Sequence, residues 1–154
     1  MDNADDLDST LVEFRKDTFL AFFVGLVERF PTTHMPVTLM LPGGVVTGKL
    51  VSSADYFAIL SQELGEAFTG IGEEASAAVS HWLHDRSRTI LADAREEVTQ
   101  DTYAQFLTEE YLHLKDARFV QGAVIGPAPG ATMRIRLRDV SGYTFTELAP
   151  PDEA

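Results

Sequence analysis

The stretch Pro36-Val37-Thr38-Leu39-Met40-Leu41-Pro42-Gly43-Gly44-Val45-Val46-Thr47-Gly48-Lys49-Leu50-Val51 decides the fold class. Two runs rich in β-branched and aliphatic residues flank a Pro-Gly-Gly turn, which is the signature of an antiparallel hairpin. Gly48 lies inside the second run. A glycine there predicts a bulge or a close backbone approach.

Upstream, Leu11, Phe14, Phe19, Phe22, Phe23, Leu26, Val27 and Phe30 recur mostly at three- and four-residue steps. That spacing predicts a helix from about Thr10 to Arg29, capped by Asp8 or Ser9 and stopped by Pro31. Its phenylalanine stripe is expected to serve mostly as core, with part left for an interface. Downstream, Ser52 and Ser53 offer caps for a second helix with Tyr56, Phe57, Leu60, Leu64 and Phe68 on its apolar face. Gly70 and Gly72 break it. A third helix is predicted from about Glu73 to Ala94, with Ala78, Val79, Trp82, Leu83, Ile90 and Leu91 as buried candidates. A short helical turn is expected around Tyr103–Leu107.

The last third returns to strands. Glu110–Leu114 and Ala117–Val120 read as two runs, and Gly126–Gly130 as a loop. In Thr132–Val140, Met133, Ile135 and Leu137 point one way and Arg134, Arg136 and Arg138 the other. Ser141-Gly142 then turns into Tyr143–Leu148. Strands at both ends thus bracket a helical middle. The expected fold is α+β: one curved antiparallel sheet, or a small partly open barrel, packed by the N-terminal helix. Residues 9–148 are expected to form one domain, with 72–108 as a helical insertion and disordered acidic tails at 1–8 and 149–154.

The 154 residues include ten Phe, four Tyr and one Trp, enough to build a core at this length. With no cysteine, disulfides, iron–sulfur clusters and cysteine-ligated zinc are excluded. The net charge of −12 disfavours nucleic acid and anionic membrane surfaces as partners. The acidic start, Asp2, Asp5, Asp6 and Asp8, has the wrong sign for a signal peptide. The apolar run Phe19–Val27 is about half of a ~20-residue membrane span. A cytoplasmic protein is expected.

Motifs for catalysis are missing. There is no phosphate loop, no Gly-x-Ser-x-Gly elbow and no His-Glu-x-x-His pair, so no catalytic, cofactor-binding or metal-ligating residue is assigned. His81 and His84 share a helix face beside Asp85, but two ligands do not make a site, and a solvated polar face explains them. A hydrolase reading has only unplaced serines and histidines behind it. The basic residues cluster more tellingly. Arg134, Arg136 and Arg138, with Lys115 and Arg118, hold five of the twelve Lys and Arg residues. They read either as a face for an acidic partner or as the wet side of a strand. Together with Phe19 and Phe23 they are the candidate partner-binding residues.

Four stretches together resemble the gas vesicle accessory protein U family. They are Phe19–Val24 leading to Pro36–Leu41, then Gly43–Phe57, then Tyr111–Phe119, then Arg134–Phe145. The likeness covers most of residues 15–148, and the middle, about 72–108, carries none of it. It implies a non-enzymatic cytoplasmic protein that influences vesicle assembly, clustering or surface behaviour. Its partners would be vesicle structural or accessory proteins and further copies of itself, joined by weak multivalent contacts. As an alternative, the Val-Thr-Leu, turn, Val-Thr-Gly-Lys-Leu-Val-Ser pattern is similar in outline to the Sm-like small barrel. That likeness implies a homo-oligomer binding RNA or a small ligand, which the acidity disfavours for RNA.

Overall fold

The computed structural model describes residues 17–93 and 107–149. The hairpin forms as its sequence predicts. β1 (Met35–Leu41) and β2 (Gly44–Val51) pair antiparallel from Met35 opposite Leu50 to Leu41 opposite Gly44. β3 (Tyr111–Gln121) lies on the other side of β2. The outer edge of β3 is shared. β4 (Val124–Ile125) pairs its last two residues, and β5 (Ala131–Arg136) pairs its first half. β6 (Gly142–Thr144) pairs β1. The result is a six-stranded, wholly antiparallel sheet with β6 at one edge and β4 and β5 at the other. It is not closed, so the Sm-like barrel outline is not met and the open form of the expected fold is found.

Several boundaries differ from the sequence reading. The two runs 110–114 and 117–120 are one strand, because β3 continues through Asp116 in the left-handed region at φ +50. The pairing slips there, between Leu114 and Ala117 against β5 and between Thr47 and Lys49 against β2. Gly48 sits opposite the slip. A Cβ on it would lie 3.0 Å from Ala117 Cα and 3.1 Å from Lys115 O. Bulge and close approach therefore coincide. β5 stops at Arg136, and Leu137–Asp139 form a 3-10 turn whose Leu137 N–H donates to Glu110 O at 2.9 Å. The strand expected over Tyr143–Leu148 is only Gly142–Thr144.

α1 (Thr18–Arg29) covers one face of the sheet. It starts later than expected. Asp17 is extended, at φ −69 and ψ 107, and its carboxylate accepts from Leu20 N–H at 2.9 Å, so it is the cap. Thr10–Lys16 and the acidic tail 1–8 lie outside the described residues. The buried stripe is aliphatic: Leu20, Ala21, Val24 and Val27 meet Val37, Leu39, Val46, Leu50, Leu112, Leu114, Ile135 and Leu137. Burying each large aliphatic side chain contributes about 1.5–3 kcal/mol. The phenylalanines expected mostly in the core flank this stripe instead; Phe22 and Phe23 are half-buried, and Phe19 is 59% exposed.

Between β2 and β3 come α2 (Ser53–Ala67) and α3 (Glu73–Asp93), joined by a 3-10 turn at Phe68–Ile71. Ser52 caps α2, accepting from Asp55 N–H at 3.1 Å. The two helices run antiparallel and are knitted by serines. Ser61 Oγ donates to Ser80 O at 3.0 Å, Ser80 Oγ to Ser61 O at 3.3 Å, Ser76 Oγ to Gly65 O at 2.9 Å and Ser87 Oγ to Ala54 O at 2.8 Å. Small residues allow the close approach that makes these bonds. Of the six predicted buried positions of α3, Leu83 is buried, Val79, Ile90 and Leu91 are half-buried, and Ala78 and Trp82 are exposed. Most of the turn expected at Tyr103–Leu107 lies outside the described residues. No helix of the described residues is long and apolar enough to cross a membrane.

Gly130 provides a test of the slip in β3. Its N–H donates to Asp116 Oδ1 at 2.6 Å, and a Cβ would meet Ala117 O at 2.6 Å and Ala117 N at 2.7 Å. These are backbone atoms that cannot step aside. Gly130→Ala should destabilise the protein by about 1–3 kcal/mol in thermal or urea unfolding. Gly43→Ala, where a Cβ meets nothing within 4 Å, should change it by less than about 0.5 kcal/mol.

Candidate functional site

Strand pairing puts Thr144, Thr38, Thr47 and Arg118 side by side on the face away from α1. Thr38 Oγ1 donates to Thr146 O at 2.7 Å. Its proton is thus used, so in the 2.9 Å contact between Thr38 and Thr47 the Thr47 hydroxyl is the donor. Thr47 Oγ1 in turn accepts from Leu148 N–H at 2.8 Å. Arg118 completes the row. It is 8% exposed and donates to Glu147 Oε1 at 3.0 Å. The segment Thr146–Leu148 is therefore strapped across the sheet from β1 to β3.

The sequence-predicted site residues separate into three places. Lys115 and Arg118 are engaged internally. Lys115 Nζ lies 3.2 Å from His34 Nε2 and 3.7 Å from Asp55 Oδ2, and His34 Nε2 is 2.9 Å from the same carboxylate oxygen. Arg134 and Arg136 lie on β5 and Arg138 in the 3-10 turn that follows it, and all three are exposed. The Arg134 guanidinium sits 3.9 Å above the Tyr111 ring, a cation–π contact. Among the described residues none of these three arginines is paired with a carboxylate.

Phe19 and Phe23 lie toward the other edge, beside β6. Their rings meet edge-on at 4.9 Å, Phe23 meets Phe145 at 4.7 Å, and Phe145 meets Tyr143 at 5.5 Å. The sequence reading missed the last two. The signal was their alternation, Tyr143 and Phe145 two apart, but only the strap fixes where Phe145 goes. Tyr143 O–H donates to Asp17 Oδ1 at 3.2 Å, so one carboxylate caps α1 and ties it to β6. Partial burial, followed by the charge and hydrogen bond of Asp17, holds the Tyr143 pKa above the ordinary 10.0.

A third feature was also not foreseen. A cleft of about 360 Å³ opens beside the arginine edge. Ser53 and Phe57 of α2, Arg86 and Ile90 of α3, Arg134 of β5, and Glu109, Glu110, Tyr111 and His113 line it. The pair His81 and His84 is elsewhere, exposed on α3, with His81 Nδ1 3.2 Å from Asp85 Oδ2. Among the described residues no three His, Asp or Glu side chains are grouped to hold a metal ion.

The raised Tyr143 pKa carries a sign. Its stabilising effect is complete below the unfolded value near 10 and is lost as pH rises through the higher folded value. Asp17→Asn keeps the cap but removes the charge. It should lower the Tyr143 titration midpoint seen by ring carbon chemical shifts. A midpoint unmoved by that change would contradict the Asp17 contact.

Residues 17–148 match the family model described as "Gas vesicle protein GvpU-like". The matched span encloses α1, the whole sheet, the strap and both edges, and also residues 72–108, which include α3. No curated protein and no solved structure matches the chain. With nearly its full length covered by this one model, the chain belongs to the GvpU-like family of gas vesicle proteins.

Proposed function

We propose that the protein is a non-enzymatic accessory of gas vesicles. It acts by contacting vesicle shell or accessory proteins and further copies of itself, and so tunes assembly, clustering or surface properties. The observation that carries this reading is the β5 edge. In a chain of net charge −12, Arg136 and Arg138 stand exposed and unpaired among the described residues, beside Arg134. An acidic surface on another protein, or on a second copy of this chain, complements them. Phe19 supplies an apolar contact near the opposite edge, and aromatic anchors are favoured at interfaces. Two separate surfaces on one molecule would allow it to bridge partners, which is how weak contacts become avid.

Arg118 and Lys115 take a structural part in this reading, since both already face internal carboxylates. Residues 17–149 of a cytoplasmic protein without bound cofactor would serve this role, and no bond-making step is assigned to any side chain.

The test is co-flotation with purified gas vesicles. The wild-type protein should float with them at low salt and less at high salt, as screening shortens the reach of surface charge to about 3 Å at 1 M. Arg136→Glu/Arg138→Glu should weaken association about thirtyfold, from two lost pairs contributing about 0.5 kcal/mol each and two new repulsions of similar size. Association unaffected by salt and by these substitutions would reject the arginine edge, and its absence at every salt concentration would reject the vesicle role.

A further inference from the structure

The cleft beside β5 contains a buried polar side chain without a hydrogen bond. His113 is 4% exposed, and among the described residues neither ring nitrogen has a hydrogen-bond partner. The nearest carboxylate oxygen, Glu28 Oε1, is 3.6 Å from Nδ1. Both oxygens of Glu28 are already engaged, by Ser53 N–H at 2.7 Å and Ser53 Oγ at 2.6 Å. The imidazole is fixed in place by stacking, with the Tyr56 ring 4.6 Å away and that of Phe57 at 6.3 Å. A buried polar atom left without a partner is destabilising, and a ligand that supplies one recovers that loss.

Two arginines reach the same cleft from different elements, Arg86 from α3 and Arg134 from β5. Neither is paired with a carboxylate among the described residues. Guanidinium groups match planar oxyanions through paired N–H donors. Two glutamates also line the cleft, which limits the charge it favours. A multiply charged anion would be repelled by them as much as it is drawn by the arginines. A single carboxylate placed between the arginines avoids most of that repulsion. Phe57 and Ile90 provide apolar wall, and about 360 Å³ is at the small end of ligand sites.

We propose that this cleft binds a small monocarboxylate with an apolar stem. Arg86 and Arg134 hold the carboxylate, His113 hydrogen-bonds to it, and Phe57 and Ile90 contact the stem. The site shares Arg134 with the proposed docking edge, but Arg136 and Arg138 do not line the cleft and Arg86 is not part of that edge, so Arg86→Gln tests the cleft and Arg136→Glu/Arg138→Glu tests the docking edge separately.

Sodium benzoate is a suitable probe. Isotope-labelled full-length protein is titrated at constant ionic strength while the His113 ring resonances are followed. The expected result is a saturable shift with a dissociation constant of about 1 mM, as befits so small a ligand. Arg86→Gln and Arg134→Gln should each weaken it about tenfold, the loss of one charge-assisted pair. Arg138→Gln, outside the cleft, should leave it unchanged. Amide spectra of each variant establish that it is folded. Inorganic phosphate is the second arm, and should bind more weakly than benzoate. No saturation with benzoate, equal affinity in Arg86→Gln/Arg134→Gln, or tighter binding of phosphate would each overturn the assignment.

Discussion

Two threonine hydroxyls, on Thr38 and Thr47, meet 2.9 Å apart in the middle of the sheet on the face away from α1. The rest of the arrangement follows from satisfying them. Both residues are buried, so each hydroxyl must have its donor and acceptor roles filled. The backbone of Thr146 and Leu148 fills them, which draws the chain after β6 across the sheet. That path brings Glu147 onto Arg118, and it leaves Phe145 facing back toward Phe23 of α1. One polar row thus closes the second face of the sheet where α2 and α3 do not, and builds the aromatic edge in the same stroke.

The consequence for function is a division of labour among the basic residues. Arg118 is nearly buried and neutralised by Glu147, and Lys115 faces Asp55. Of the five basic residues that the sequence singles out, the arginines of β5 and the following turn are the three without a carboxylate partner among the described residues. Apolar surface is divided in the same way. The aliphatic residues of α1 form the core, while Phe19 lies on its exposed side, and Asp17 caps the helix and anchors Tyr143. The open sheet therefore presents charge at one edge and aromatic surface toward the other, an arrangement suited to joining two partners.

Features set by local chemistry were legible in the sequence. The hairpin turn, Gly48, the stop at Pro31 and the cap at Ser52 each depend on a few neighbouring residues. The alternation of Arg134 and Arg136 with Met133 and Ile135 was equally plain. What could not be read depends on distant partners. Glu147 neutralises Arg118 from 29 positions away, and Leu148 bonds Thr47 from 101 away. Asp116 carries β3 through a conformation that an ordinary strand pattern treats as a break. The contact stripe of α3 kept helical spacing, but it ran through Ser76, Ser80, Leu83 and Ser87, and a search for apolar residues passes over serines. The cleft at His113 needed four separate elements, α2, α3, β3 and β5, to be placed before it existed.

Amide hydrogen exchange at Leu148 addresses the strap most directly. In the wild-type protein this N–H is held by Thr47 Oγ1 at 2.8 Å and should exchange far more slowly than an unstructured amide. Thr47→Val keeps the shape but removes the acceptor; Leu148 should then exchange rapidly, with a loss of about 1–3 kcal/mol in overall stability. A Leu148 amide that exchanges at the unprotected rate in the wild-type protein would contradict the strap, and with it the placement of Phe145 and the withdrawal of Arg118 from the docking surface.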